Sequence, residues 1–126
     1  MFLFKLLYKH RKISWVLFLL TFSVLIYGIF IPQVRTGMGV PNLDKFLHFC
    51  GFFSVFLFGR FATHGWSRGA YWILPAVCAL LLEYLQGQLV PSRDFSYLDM
   101  LANIIGVGAA GLLWLGLVKT GQLESE

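Results

Sequence analysis

Predominantly apolar runs alternate with short polar gaps along this chain, at Ile13–Ile31, Asp44–Ala62, Tyr71–Val90 and Tyr97–Val118. At about 1.5 Å per residue, a helix made from any one of them approaches the ~30 Å hydrocarbon thickness of a bilayer. The pattern predicts an all-α membrane protein, a four-transmembrane-helix bundle. The first run carries no charge. A signal peptide would have an apolar core of about 7–15 residues followed by a small-x-small cleavage site. Pro32-Gln33-Val34-Arg35 follows here instead, so the run reads as an uncleaved first span. Pro32, Gly37, Gly39, Pro41 and Asn42 mark the loop Pro32–Leu43, and Thr63–Gly69 and Pro91–Ser96 read as short connections. Pro75 interrupts the third run near its start.

The runs divide the chain into a basic N-terminal segment (1–12), one transmembrane domain (13–118) and a polar tail (119–126). With four spans, both termini share a side with the Thr63–Gly69 turn. That side holds seven basic residues, Lys5, Lys9, Arg11, Lys12, Arg60, Arg68 and Lys119, against Arg35, Lys45 and Arg93 on the other. The positive-inside rule then places both termini in the cytoplasm. Of the acidic residues, Glu124 and Glu126 fall inside, while Asp44, Glu83, Asp94 and Asp99 fall toward the outer side.

Composition agrees with a bilayer solvent. Hydrophobic residues make up 58% and charged ones 13% of the 126 residues, against roughly 45–50% and about 25% in soluble domains. The net charge of +4 does not indicate nucleic acid, because the basic residues sit mainly in the gaps and form no free-standing basic stripe. Cys50 and Cys78 lie inside apolar runs and show neither metal-type spacing nor a disulfide framework.

The polar residues that interrupt the apolar runs gather at one end of the expected bundle. Asp44 and His48 are four apart, Glu83 and Gln86 three apart, and Asp99 and Asn103 four apart, so each pair shares a helix face. Lys45 lies beside the first pair, and Arg93 and Asp94 fall in the turn between the last two segments. A shared polar pocket opening outward accounts for the three pairs. Blander readings compete for most members. Asp44 stands where a helix N-cap belongs, and Ser96-Tyr97-Leu98-Asp99 fits a capping box. Arg93 suits the headgroup layer and Lys45 a snorkelling position. His48 on its own reads as a packed histidine, and Asn103 as interhelical glue. Glu83 has no such alternative. A carboxylate about 12 Å inside the end of its helix needs a proton, a donor or a cation, for which Arg93, His48 or a metal are the candidates. On the last segment, Ala102, Gly106 and Ala110, with Gly108, Ala109 and Gly111 nearby, form a small-residue face for close approach to the second and third segments or to another protomer.

Asp44-Lys45-x-x-His48-Phe49, Glu83-x-x-Gln86, Arg93 and Asp99-x-x-Ala102-Asn103-x-x-Gly106 together resemble the VanZ-like family, small bacterial membrane proteins named for a teicoplanin-resistance determinant. The resemblance covers Asp44 to Leu117. One departure is Phe95-Ser96-Tyr97-Leu98, bulkier and more aromatic than the small-residue run expected there. The resemblance implies a multi-pass protein of the bacterial inner membrane and cell envelope, with Asp44, Lys45, His48, Glu83, Gln86, Arg93, Asp99 and Asn103 as its pocket residues. The leading expectation is a binding protein for a membrane lipid head group or lipid-linked envelope precursor, with Arg93 pairing a phosphate or carboxylate and Asn103 and Gln86 orienting it. The alternative is a membrane enzyme in which Glu83 or Asp99 is the base and His48 its acid partner or a metal ligand. Asp44, His48, Glu83 and Asp99 are the donors that would then hold a divalent ion, and the cofactor stays open. An ion-coupled carrier using Glu83 ranks third.

Overall fold

The computed structural model describes residues 2–31, 42–64, 68–91 and 95–123, with the backbone alone for 68–72. Arg35, Arg93, Asp94, Glu124 and Glu126 lie outside the described residues, as does most of the Pro32–Leu43 loop. All regular structure among the described residues is helical: α1 (Phe2–Lys9), α2 (Arg11–Phe30), α3 (Leu43–Ala62), α4 (Arg68–Leu89) and α5 (Tyr97–Lys119). Three of these, α2, α3 and α5, are long and apolar enough to cross a membrane. The fourth expected span, α4, has 22 residues and contains Pro75, and its described side chains form an apolar stretch over Ile73–Leu89.

The basic N-terminal segment is not simply a lead-in. It folds as a separate helix, and α2 begins at Arg11, two residues before the apolar run. The break falls at His10, whose backbone is non-helical (φ −106°, ψ 71°). Ser14 locks the corner: its fully buried hydroxyl donates to the Leu7 carbonyl at 2.8 Å, one of the carbonyls left open where α1 ends.

Contacts along the helices fix their directions. Near the start of both α3 and α5, His48 meets Asn103; toward their C-terminal ends, Phe61 packs edge-on to Trp114, ring centroids 5.1 Å apart. The two helices therefore run parallel. Gly106 permits their approach, because a Cβ there would lie 2.5 Å from the Phe49 carbonyl oxygen on α3. The small-residue face of α5 is thus turned, at Gly106, toward α3. α2 and α4 run in the opposite sense: Leu25 of α2 packs on Gly51 of α3, and the C-terminal half of α4 lies beside the N-terminal end of α5. The core runs through Phe52, Phe56, Phe61 and Trp114. α5 ends in a Schellman turn with Gly121 at φ 68°, the Gln122 and Gly121 amides donating to the Leu117 and Val118 carbonyls. This folds the tail back far enough to bury Leu123.

Candidate functional site

The site lies where the N-terminal turns of α3 and α5 meet the C-terminal turns of α4. α3 starts one residue earlier than the apolar run, with Asn42 as its N-cap in the left-handed region (φ 61°). Asp44 is therefore inside the first turn rather than at the cap, still favourably placed for the helix dipole. Lys45 does not simply extend toward the surface. Its Nζ lies 3.0 Å from Asp44 Oδ2 and 3.5 Å from Asp99 Oδ1, tying the first turn of α3 to that of α5.

One turn deeper, His48 and Asn103 are both buried, Asn103 completely. His48 Nδ1 and Asn103 Oδ1 are 2.9 Å apart, and Asn103 Nδ2 is directed to the Ala79 carbonyl of α4 at 3.5 Å. With the amide so oriented, Oδ1 accepts and His48 Nδ1 carries the proton and donates. Glu83 Oε2 lies 4.0 Å from the same nitrogen. The imidazole is thus engaged at Nδ1, hydrogen-bonded to Asn103 with the Glu83 carboxylate close by but beyond hydrogen-bond reach.

Glu83 and Gln86 are each 1% exposed, and each reaches the end of a different helix. Glu83 Oε1 accepts from the Ser96 backbone amide at 3.2 Å. Ser96 is the N-cap of α5, and its Oγ accepts from the Asp99 amide at 3.2 Å. In a capping box the acidic residue at N3 would return to the N-cap amide. Here Glu83 of α4 takes that half, and Asp99 is directed to Lys45 instead. Gln86 Nε2 donates at 2.7 Å to the Ile29 carbonyl in the last turn of α2, where carbonyls have no onward helical donor. Glu83 therefore has a structural role that its spacing alone did not reveal.

The structure brings together Asp44, Lys45 and Asp99 in one ionic group and His48, Glu83 and Asn103 in a second beneath it. Gln86 faces away from both, toward α2. Arg93 falls outside the described residues. Two positioning residues were not singled out from the sequence. Gly87 leaves room for the chain before α5, since a Cβ there would meet the Phe95 amide nitrogen at 3.1 Å, and that approach carries the Ser96 amide to Glu83. Its signal was the four-residue spacing from Glu83. Ser96 was visible as a cap, but not as Glu83's donor. Among the described residues no group of three His, Cys, Asp or Glu side chains is placed to hold a metal ion. Comparison with protein-family models, curated proteins and solved structures gives no match for this chain.

Proposed function

We propose that the chain is a VanZ-like, four-span protein of the bacterial cytoplasmic membrane, termini inside, whose polar cluster receives the head group of an envelope lipid or lipid-linked precursor. The observation that carries this reading is the convergence of charged and hydrogen-bonding side chains from α3, α4 and α5 at one end of the bundle. A polar group at membrane depth is expensive unless it is paired or functional. The rim is the accessible part: Asp44 and Lys45 keep about a third of their side-chain surface exposed (34% and 28%), whereas His48 and Glu83 are closed in. The described cluster has three carboxylates against one ammonium, so it favours a head group's amine or hydroxyl donors, and pairing a phosphate would fall to Arg93.

Native mass spectrometry of the purified protein tests the proposal. Asp44→Asn, which removes the most exposed carboxylate of the rim, and Arg93→Ala should each lose the lipid retained by the wild type. Full retention by both variants removes the main support for the reading. Reporter fusions at the two termini test the topology and should both report the cytoplasmic side. A role in resistance to teicoplanin-type glycopeptides, which the family resemblance raises, is checked by susceptibility of cells with and without the gene.

A second reading, membrane enzyme, is favoured by one contact: a buried imidazole nitrogen 4.0 Å from a buried carboxylate oxygen. In it His48 exchanges a proton at Nε2 while Asn103 holds Nδ1. Turnover of a lipid-linked substrate that falls by ~10²-fold or more in His48→Gln, a general acid–base magnitude, would select this reading over simple binding.

A further inference from the structure

The opposite end of the bundle carries a different chemistry. Leu7 is buried, Phe4 stacks on Phe61 of α3 with centroids 5.9 Å apart, and Tyr8 stacks on His64 at 4.4 Å. These contacts, with the Ser14 hydroxyl bond at the corner, hold the inner face of α1 on the end of α3. The outer face is then presented in a fixed orientation. It exposes Phe2 (82%) and Leu3 (57%), with Lys5 and Lys9 beside them on the same helix and Lys12 just beyond the corner, all exposed. Lys5 and Lys9 are four residues apart and share a side of α1. The described acidic residues, Asp44, Glu83 and Asp99, all belong to the other end of the molecule. A short helix with apolar side chains flanked by lysines and no nearby described carboxylate has the composition of a segment lying in an anionic headgroup layer.

We infer that the outer face of α1, with Lys5, Lys9 and Lys12, is a docking surface for anionic phospholipid in the adjacent leaflet, with Phe2 and Leu3 inserted at the acyl boundary. The inference rests on α2 crossing the bilayer, not on the ligand of the polar cluster. The fold keeps the surface in register: α2 enters the hydrocarbon directly after Lys12, so the three ammonium groups sit at headgroup depth while the chain continues into the membrane.

The test uses the full chain in a neutral detergent, titrated with phosphatidylglycerol or with phosphatidylcholine of the same acyl chains. Bound lipid is counted by native mass spectrometry and unfolding followed by heating. The wild type should retain phosphatidylglycerol in preference to phosphatidylcholine. Lys5→Ala, Lys9→Ala and Lys12→Ala should each reduce that preference, by on the order of fivefold per lysine removed. The triple variant should melt like the wild type in phosphatidylcholine, and the triple arginine variant should restore the preference. Equal retention of the two lipids by the wild type overturns the inference, as does an undiminished preference in the triple alanine variant. Alkaline extraction of native membranes reports separately on spanning: loss of the chain to the soluble fraction would overturn the premise about α2.

Discussion

Glu83 joins α4 to two neighbouring elements. It accepts the Ser96 amide through one oxygen and faces the imidazole of His48 with the other. Glu83→Gln keeps an oxygen acceptor while removing the charge, so it should melt near the wild type. Glu83→Ala leaves the amide unanswered and should cost about 1–3 kcal/mol in a thermal or chaotrope unfolding measurement. If both variants melt alike, the cap is not what the carboxylate provides. Asn103→Leu should cost a similar ~1–3 kcal/mol, because it leaves the His48 Nδ1 proton without its acceptor in a buried position. Spacing showed that these residues share faces, but could not say which atoms meet. His48–Asn103 joins residues 55 apart in the chain, and the Lys45–Asp99 pair joins α3 to α5. Both depend on the parallel arrangement of those helices, which the up-and-down order of four spans implies, and on their rotation and register, which spacing does not encode.

At the scale of elements, packing in a bilayer lacks the hydrophobic drive that assembles soluble helices and relies on close approach and polar bonds. α3 and α5 use close approach. A methyl group at Gly106 would collide with the Phe49 carbonyl, so Gly106→Ala should destabilise by about 1–3 kcal/mol, with the shift read in the unfolding midpoint. α4 uses polar bonds: its buried Gln86 and Glu83 side chains secure the end of α2 and the start of α5, and a third bond comes to its Ala79 carbonyl from Asn103. Ser96→Ala should cost ~1 kcal/mol through the cap, with α4 still held by Gln86. The helices themselves were largely legible, because apolar runs and the Ser96 cap mark them. α1 was legible only as a short amphipathic, basic segment near the membrane surface, since the Ser14–Leu7 bond that makes it a separate helix is invisible without the corner. The start of α4 was also misplaced, at Tyr71 rather than Arg68, because the polar turn masks the onset of helix.

For the molecule as a whole, the described charges of the two ends differ in sign. One collects carboxylates with a lysine and a histidine. The other buries Arg60 with its guanidinium 4.7 Å from the Trp114 ring centre and presents lysines outward. Trp114→Leu removes buried core packing against Phe61 as well as the cation–π contact, so it should cost about 2–5 kcal/mol, detectable as a lower unfolding midpoint and faster proteolysis near the N-terminus.

The order of synthesis gives the double tether of α4 a consequence for biogenesis. On the four-span reading, Gln86 enters the bilayer when its acceptor on α2 is already in place, so that bond can form at once. Glu83 enters thirteen residues ahead of its donor. Until α5 follows, its carboxylate has His48 of α3 at 4.0 Å but lacks the Ser96 amide, in a setting where an uncompensated charge costs about 2.5–3.5 kcal/mol. α4 and α5 are therefore expected to insert as a hairpin rather than one after the other. In a translocon assay, a nascent chain ending at Pro91 should place α4 across the membrane less often than one extended through Lys119, and Glu83→Leu should erase the difference.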